Sequence, residues 1–202
     1  MPPNGRHLDI GCGPGTFIGS LNQSHNMQSL GIDFSKQQID FAKNTYSSSK
    51  ADFRCIDFFD PFFSKESKNK FDIITFVEVI EHIERAQALK MLARAKSSLK
   101  TDGKLIVTTP NYHSGWGALE KVVNMVGEVT YEDQHINKYH FSSLEKDLIG
   151  AGFRSVKVSS FLSVSPFVAA LSWNASERMA RRELYSGILR PCGFLLIGEA
   201  WA

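Results

Sequence analysis

The segment HLDIGCGPGTF at residues 7–17 constrains the fold more than any other part of the sequence. It places Gly11, Gly13 and Gly15 at alternate positions directly behind a short apolar run. Glycine loses more backbone freedom on folding than any other residue, and a tight turn alone needs only one or two. The pattern therefore predicts a strand, a glycine turn and a helix. It also predicts that a nucleotide-like ligand lies against bare backbone whose amides are free to donate hydrogen bonds.

Strand and helix patterns alternate along the rest of the chain. The predicted strands are RHLDI, SLGIDF, ADFRCID, FDIITFV, KLIVTT, FRSVKVSSF and CGFLLIGEAWA. A capping pair, Ser35 and Gln38, predicts a helix through about Ser47, and a second pair, Ser142 and Glu145, predicts one that stops at GAGF. Apolar residues at helical spacing predict a further helix that ends near TDG; they are Ala88, Leu92, Ala95 and Leu99. This alternation is typical of an α/β fold, a doubly wound and mostly parallel sheet of seven strands.

Two helical insertions are predicted within a single domain of residues 1–202, at about 111–141 after strand five and at 165–190 after strand six. The first contains an amphipathic pattern of Trp116, Leu119, Val123 and Val126. The second has Pro166 in its first turn, the apolar residues Phe167, Val168, Leu171 and Trp173, and then Arg178, Arg181 and Arg182. The second also suits a peripheral membrane contact.

Bulk properties narrow the function classes. A net charge of +2 gives no electrostatic reason to expect nucleic acid as a partner. The three cysteines are widely spaced, which favours a reducing compartment over a disulfide or zinc framework. The sequence shows neither a signal-peptide pattern nor an apolar run of the roughly 20 residues that span a bilayer. These features predict a cytoplasmic protein without integral membrane association.

Acidic residues accompany three of the predicted strands: Asp9 precedes the first glycine, and Asp33 and Asp57 end strands two and three. The carboxyl ends of parallel strands meet at one edge of the sheet, where ligands bind in such folds. Asp9 can hold the turn or accept from a cationic group, and Asp33 can accept from ribose hydroxyls. Asp57 suits an exocyclic amine, with Phe58 or Phe59 packing on a purine face.

The glycine spacing favours one nucleotide class over another. Dinucleotide-binding turns have the pattern GxGxxG, whereas this chain has GxGxG, with Thr16 at the position of the third dinucleotide glycine. A carboxylate such as Asp33 occurs in both classes. A nicotinamide-dependent oxidoreductase therefore remains an alternative, disfavoured by the glycine spacing and by Asp57.

Taken in order, LDIGCGPG, GIDFS, CIDFFDPF, FDIITFVEVIEH and LKTDGKLIVTTPN resemble the motifs of class I S-adenosylmethionine-dependent methyltransferases. The resemblance covers about residues 6–110, with a weaker echo in HINKYHFSSLEKDLIGAGF, and is greatest to the group containing the ubiquinone-biosynthesis O-methyltransferases. It implies a Rossmann-like fold whose last strand is antiparallel. It also implies S-adenosylmethionine as cofactor, S-adenosylhomocysteine as product, and methyl transfer to a small-molecule acceptor, most simply a hydroxyl. We expect the two helical insertions to cover the site of this acceptor.

The resemblance also implies roles for individual residues. Asp9 and the backbone of the turn would surround the methionine part of the cofactor, Asp33 would hold the ribose, and Asp57 with the Phe58 amide would read the adenine. The main chain at Val77 and Glu78 would close the site beside the methionine amine. The complete set of expected cofactor-binding residues is Asp9, Gly11, Cys12, Gly13, Gly15, Asp33, Phe34, Asp57, Phe58, Val77 and Glu78.

The segment EVIEH places Glu78, Glu81 and His82 on one face if it is helical. In some quinone-pathway relatives this cluster accompanies a divalent metal, and its ligand types suit one. Our sequence-based interpretation is that it shapes the cofactor pocket, so no metal is assigned. His135 and His140 are the candidate catalytic residues, with His140 preferred as the base because it adjoins the predicted helix start.

Relatives usually carry a helical segment before strand one that covers the cofactor, whereas here strand one is predicted from residue 6. Either the chain is a shortened member or the two insertions supply the cover. A cofactor-binding scaffold without activity therefore remains a non-enzymatic alternative.

Overall fold

The computed structural model describes residues 4–116, 135–162, 172–186 and 193–202. The strands are β1 (Arg6–Ile10), β2 (Gln28–Asp33), β3 (Ala51–Cys55), β4 (Phe71–Val77), β5 (Leu99–Pro110), β6 (Ser155–Phe161) and β7 (Leu195–Trp201). The helices are α1 (Thr16–Ser24), α2 (Lys36–Tyr46), α3 (Pro61–Ser67), α4 (Arg85–Ser98), α5 (Phe141–Gly150) and α6 (Trp173–Ser186). A short 3-10 helix covers Ile80–His82.

The strands form one sheet in the order β3-β2-β1-β4-β5-β7-β6. Neighbours from β3 to β5 are parallel, and β7 runs antiparallel to both β5 and β6. The predicted fold class is therefore confirmed, including the antiparallel last strand. The chain runs from β1 outward to β3 and then returns to β4 on the other side of β1. The strand order therefore reverses between β1 and β4, and folds of this kind bind ligands at such a reversal.

Burial explains why the central strands form where the sequence predicts them. Leu8 of β1 and Ile74 and Phe76 of β4 are fully buried, as expected for a parallel sheet covered on both faces. Burying each such side chain contributes about 1.5–3 kcal/mol. The core thereby fixes the carboxyl ends of β1, which leads into the glycine turn, and of β4, which leads to Val79 beside that turn.

Three elements differ from the sequence-based expectation. Helix α3 was not predicted, although Asp60 caps it by accepting from Phe62 N and Phe63 N, and Pro61 occupies its first turn. Helix α4 ends at Ser98, and Leu99 begins β5, because a register shift in the β4–β5 pairing extends the strand backwards past the TDG turn.

The capping residue of α5 also differs, because the Nδ1 atom of His140 accepts from Ser143 N while Ser143 Oγ accepts from His140 N. The predicted capping pair Ser142 and Glu145 is therefore wrong.

Residues 117–134 of the first predicted insertion, and 165–171 and 187–190 of the second, lie outside the described residues; among them are Leu119, Val123, Val126, Pro166, Phe167, Val168 and Leu171. The described part of the second one is α6. The single-domain organisation and the covering role of the insertions stay predictions. In the described ranges, no helix combines the length and apolar character needed to cross a bilayer.

Candidate active site

The glycine turn links β1 to α1 with all three glycines at positive φ: 71° at Gly11, 49° at Gly13 and 78° at Gly15. A Cβ at Gly11 would lie 2.7 Å from Val79 Cγ2, and a Cβ at Gly15 would lie 2.7 Å from Phe53 Cε1. A Cβ at Gly13 would have no atom of the described residues within 4 Å. Two of the glycines are therefore required by packing against the protein itself, and only Gly13 borders open space.

The backbone amides of the turn are used within the protein. Gly11 N and Cys12 N both donate to Ile32 O at 2.9 and 3.1 Å, and Gly15 N donates to Cys12 O at 3.0 Å. Gly13 N donates to Asp33 Oδ2 at 3.0 Å. The expectation that these amides stay free for a ligand is wrong, because neighbouring carbonyl and carboxylate oxygens hold the turn in shape.

Asp33 lies at the end of β2, and its second oxygen accepts from Ser35 N at 2.8 Å. The carboxylate thus connects the glycine turn to the start of α2. Each carboxylate oxygen has two acceptor sites, so both retain capacity for a further donor. Phe34 is 86% exposed beside it, and its carbonyl accepts from Cys55 Sγ.

Asp57 lies two residues beyond the end of β3, and its Oδ1 accepts from Phe59 N at 2.8 Å. Phe58 packs in the core against Phe63 and Phe76. It lines the cavity described below together with Phe59, and the packing of either ring on a purine stays a prediction. The Arg94 guanidinium of α4 lies 4.9 Å from the Phe58 ring centroid and donates to Asp60 O at 3.0 Å. Arg94 therefore fixes the loop that carries Asp57.

A cavity of about 210 Å³ opens between the ends of β1, β2 and β3 and the segment that leads into α4. Polar groups enter it from Asp33, Asp57 and Gln87. Its remaining lining residues are Ile10, Gly11, Ile32, Phe34, Ile56, Phe58, Phe59, Val79, Ile83 and Met91. An apolar slot with a few polar groups at its rim is typical of a small-molecule or cofactor site.

Asp9 is 1% exposed and accepts from Thr75 Oγ1 at 2.5 Å. Burial, together with the charge of Asp33, raises the pKa of Asp9 to about 7 despite the hydrogen bond from Thr75. The carboxyl is thus poised to ionise near neutral pH, where a nearby cation would favour the charged form.

Val77 ends β4, and Glu78 directly after it adopts a positive φ of 54°. The Glu78 amide donates to Thr108 Oγ1 at 3.2 Å. The Oε1 atom of the Glu78 side chain is buried and has no hydrogen-bond partner among the described residues. Burial raises the pKa of the Glu78 carboxyl group. The predicted helical face of Glu78, Glu81 and His82 does not form, because only Ile80–His82 is helical.

Glu81 instead joins His82 and His135. One ligand atom of each residue lies within 4.8 Å of the other two, and the two imidazole centroids are 5.0 Å apart. Glu81 is fully buried; Thr109 Oγ1 donates to its Oε2 at 3.0 Å, whereas its Oε1 has no hydrogen-bond partner in the described ranges. Burial, with the nearby Glu78, raises the pKa of Glu81 to about 8.

Tyr112, just beyond β5, holds His135, because its hydroxyl lies 2.7 Å from His135 Nδ1. His140 has a different environment. Its Nδ1 lies 3.0 Å from Ser142 Oγ and accepts from Ser143 N at 3.4 Å, and its ring stacks on His113 with centroids 4.2 Å apart. A neutral imidazole that accepts at Nδ1 carries its proton on Nε2, so the capping role works against His140 as a base.

Sequence reasoning missed Val79, Ile83, Gln87 and Met91 in the cavity wall, and Tyr112 and Thr109 as partners of the cluster. Val79 lies within EVIEH and the other three follow it closely, so the expected proximity of EVIEH to the turn was an available signal. The last two reach the cluster only through the sheet, since β4 and β5 pair side by side.

Comparison with known proteins agrees with this geometry. A family model described as a methyltransferase domain matches residues 1–158. A ubiquinone biosynthesis O-methyltransferase of Coxiella burnetii is 34% identical over 110 residues, which cover 53% of this chain and 44% of the relative. The chain thus spans less than half the length of that curated relative.

Solved structures share the fold. A SAM-dependent methyltransferase from Archaeoglobus fulgidus matches with a TM-score of 0.70 at 18% identity, over 98% of this chain and 86% of that one. A phosphoethanolamine N-methyltransferase of Haemonchus contortus, solved in complex with S-adenosylmethionine, matches with a TM-score of 0.66 at 18% identity, over 100% of this chain and 49% of that one. The comparisons favour a methyltransferase over the nicotinamide-dependent alternative. The chain belongs to the methyltransferase-domain family, which confirms the class I S-adenosylmethionine-dependent methyltransferase recognised in its sequence motifs.

Proposed function

We propose that this chain transfers a methyl group from S-adenosylmethionine to a hydroxyl of a small-molecule acceptor. One observation supports this most: Glu81 and His82, which meet His135 in the cluster, come just after Val79, and Val79 lines the cavity and packs on the glycine turn. A cofactor held in the cavity would therefore lie beside a cluster suited to acceptor chemistry.

The cofactor half of the proposal assigns the cavity to the adenosine part. Asp33 accepts from the ribose hydroxyls, and Asp57 accepts from the adenine amine at the other end of the apolar slot. Asp9 and the turn around Gly13 face the methionine part, with the main chain of Val77 and Glu78 on its far side. The apolar walls exclude water, which strengthens each of these polar contacts.

The acceptor half of the proposal assigns a divalent cation to Glu81, His82 and His135, against the sequence-based preference for no metal. The residues fit such an ion, because they offer one carboxylate and two imidazoles and Glu81 Oε1 is a buried oxygen that lacks a partner among the described residues. A cation bound there would supply Lewis acidity that lowers the pKa of an acceptor hydroxyl.

The chain's own residues act mainly by alignment. The sulfonium already carries an activated methyl group, so the protein needs only to bring donor, methyl carbon and acceptor oxygen into line. Thr109 and Tyr112 fix the orientations of Glu81 and His135 by hydrogen bonds. Together with the rigid end of β4, these bonds keep the acceptor side in a fixed position relative to the cofactor.

A small-molecule acceptor, the absence of a nucleic-acid partner and a cytoplasmic location remain predictions from the sequence. The Coxiella burnetii relative is an O-methyltransferase, which supports a hydroxyl acceptor. A scaffold that binds the cofactor without activity is the second candidate. The capping role of His140 favours it in one respect, since it removes the base preferred from the sequence.

Mass spectrometry with methyl-deuterated S-adenosylmethionine tests the proposal. The protein is incubated with panels of catechols, phenols and primary amines, with Mg²⁺ or Mn²⁺ and separately with a chelator. We expect a labelled O-methyl product that is formed with the cation and lost with the chelator. Labelled products from amines alone would contradict the hydroxyl assignment, and cofactor binding without any labelled product would favour the scaffold.

Two variants separate the cation cluster from general charge effects. Glu81→Gln removes the buried carboxylate and should lower turnover at least about tenfold while cofactor affinity is kept. Glu84→Gln is the matched control, because Glu84 is exposed three residues further on and its side chain makes no capping hydrogen bond. Equal turnover in the two variants would remove the cluster from the mechanism.

A further inference from the structure

A continuous chain of polar side chains runs through the core behind the glycine turn. His7 and Asp9 alternate on β1 and so lie on the same face of the sheet. Thr75 Oγ1 joins them, at 2.9 Å from His7 Nε2 and 2.5 Å from Asp9 Oδ1. All three residues are at most 1% exposed, so the contacts are shielded from water.

The series of hydrogen-bonded side chains continues from His7 toward α1. His7 Nδ1 lies 3.2 Å from Ser29 Oγ, and Ser29 Oγ donates to Asn22 Oδ1 at 3.2 Å. The Asn22 amide nitrogen donates to Lys50 O at 3.3 Å, which fixes the amide so that its oxygen faces Ser29. Five side chains thus connect the surface of α1 to the carboxyl group beside the turn.

Each hydroxyl in this series of hydrogen-bonded side chains carries one proton, so the direction of one hydrogen bond sets the direction of the others. With Asp9 ionised, Thr75 donates to Asp9, His7 donates from Nε2 to Thr75, and Ser29 turns its one hydroxyl proton from Asn22 Oδ1 to His7 Nδ1. With Asp9 protonated, Asp9 donates to Thr75, Thr75 donates to His7 Nε2, and His7 donates from Nδ1 to Ser29, whose hydroxyl donates to Asn22 Oδ1. The ionised arrangement holds exactly one proton fewer over Asp9, Thr75, His7 and Ser29, and the His7 ring changes tautomer between the two.

We propose that Asp9 and His7 change protonation pattern together through Thr75, and that binding of the cofactor's ammonium group selects the ionised pattern and releases one proton to solvent. His7 is then a positioning residue for cofactor binding. The inference rests on the proposed placement of the methionine part beside Asp9. The coupling between Asp9 and His7 does not need the cofactor.

The surroundings of the two groups agree with this coupling. The titratable groups facing Asp9 are Asp33 from the end of β2, Cys12 from the turn and His7 through Thr75. Burial and Asp33 raise the pKa of Asp9 to about 7, and burial lowers the pKa of His7 to about 4. His7 therefore stays neutral while Asp9 titrates, so it responds by exchanging tautomers.

Two measurements on the intact protein test the inference. Long-range ¹H–¹⁵N correlation spectra report the His7 tautomer, which we expect to change from Nδ1–H to Nε2–H as the pH of the free protein rises through about 7. Calorimetry with S-adenosylhomocysteine in buffers of different ionisation enthalpy should show about half a proton released at pH 7, and about tenfold weaker binding at pH 6 than at pH 8.

Ser29→Ala distinguishes coupling from a merely structural role. It removes the acceptor for Nδ1–H, and a buried N–H without a partner is costly. The tautomer change and the affinity profile should therefore both move about one pH unit lower, whereas Ser20→Ala on the exposed side of α1 should change neither. A tautomer that stays fixed with pH, or an unchanged midpoint in Ser29→Ala, would overturn the coupling. Binding without proton release would overturn its link to the cofactor, and undetectable binding would count against the proposed function as well.

Discussion

Asp33 holds the glycine turn in shape and is also the residue to which we assign the ribose of the cofactor. Its oxygens accept from Gly13 N and Ser35 N, so the carboxylate shapes the turn before any cofactor arrives. The sequence predicted its ribose role from its place at a strand end. It did not predict these two backbone bonds, because they depend on the loop conformation at Gly13.

We expect Asp33→Ala to weaken S-adenosylhomocysteine binding about 10- to 100-fold, since hydrogen bonds to a charged group contribute about 1.5–3 kcal/mol each. The affinity of Asp33→Asn should fall between those of the wild type and Asp33→Ala, because the amide keeps one acceptor oxygen. Asp40→Ala on the exposed face of α2 is the control. Isothermal titration calorimetry measures all three, and wild-type affinity in a folded Asp33→Ala variant would refute the ribose assignment.

The raised pKa of Asp9 leads to a separate prediction about the pH dependence of stability. Its pKa rises from 3.8 to about 7 on folding, so the native state keeps a proton that the unfolded chain has lost between these values. The contribution of Asp9 to the stability of the wild type should therefore decline as the pH rises from about 4 through 7. Asp9→Asn does not titrate, so its melting temperature relative to the wild type should rise by several degrees from pH 5 to pH 8. A difference in melting temperature that does not change with pH would contradict the raised pKa.

At the scale of elements, the glycine turn separates packing from ligand contact. Gly15→Ala would push a Cβ against Phe53 and should lower the melting temperature markedly. Gly13→Ala meets no described atom within 4 Å, so it should cost only the roughly 1 kcal/mol of a left-handed residue while weakening cofactor binding at least about tenfold. Thermal unfolding and calorimetry on both variants test this, and equal affinity in Gly13→Ala would mean that the cofactor does not approach the turn there.

The start of α5 tests whether His140 caps the helix or catalyses. Asn is among the best capping residues, so His140→Asn should keep both stability and turnover, whereas His140→Ala should lose about 1 kcal/mol of stability with little change in turnover. Activity is measured with the acceptor found by mass spectrometry. Loss of turnover in a stable His140→Asn variant would restore His140 as the catalytic base.

At the scale of the whole molecule, local patterns predicted the elements and long-range contacts decided the site. The alternation of apolar runs and caps was enough for seven strands in a doubly wound sheet, because each signal lies within a few residues. The meeting of Glu81 with His135, and of Thr109 with Glu81, depends on how β4, β5 and the loop before α5 pack together. No spacing in the sequence carries that information. The sequence therefore grouped Glu81 and His82 with Glu78, and not with His135.

A crystal structure with S-adenosylhomocysteine and Mn²⁺, recorded with anomalous data for manganese, tests the central claim most directly. We predict the adenosine in the cavity with its ribose hydroxyls on Asp33, and one anomalous peak bonded to Glu81, His82 and His135 beside the cofactor's sulfur. Adenosine bound elsewhere would contradict the cofactor site. A filled cofactor site with no manganese at this cluster would contradict the acceptor side of the mechanism.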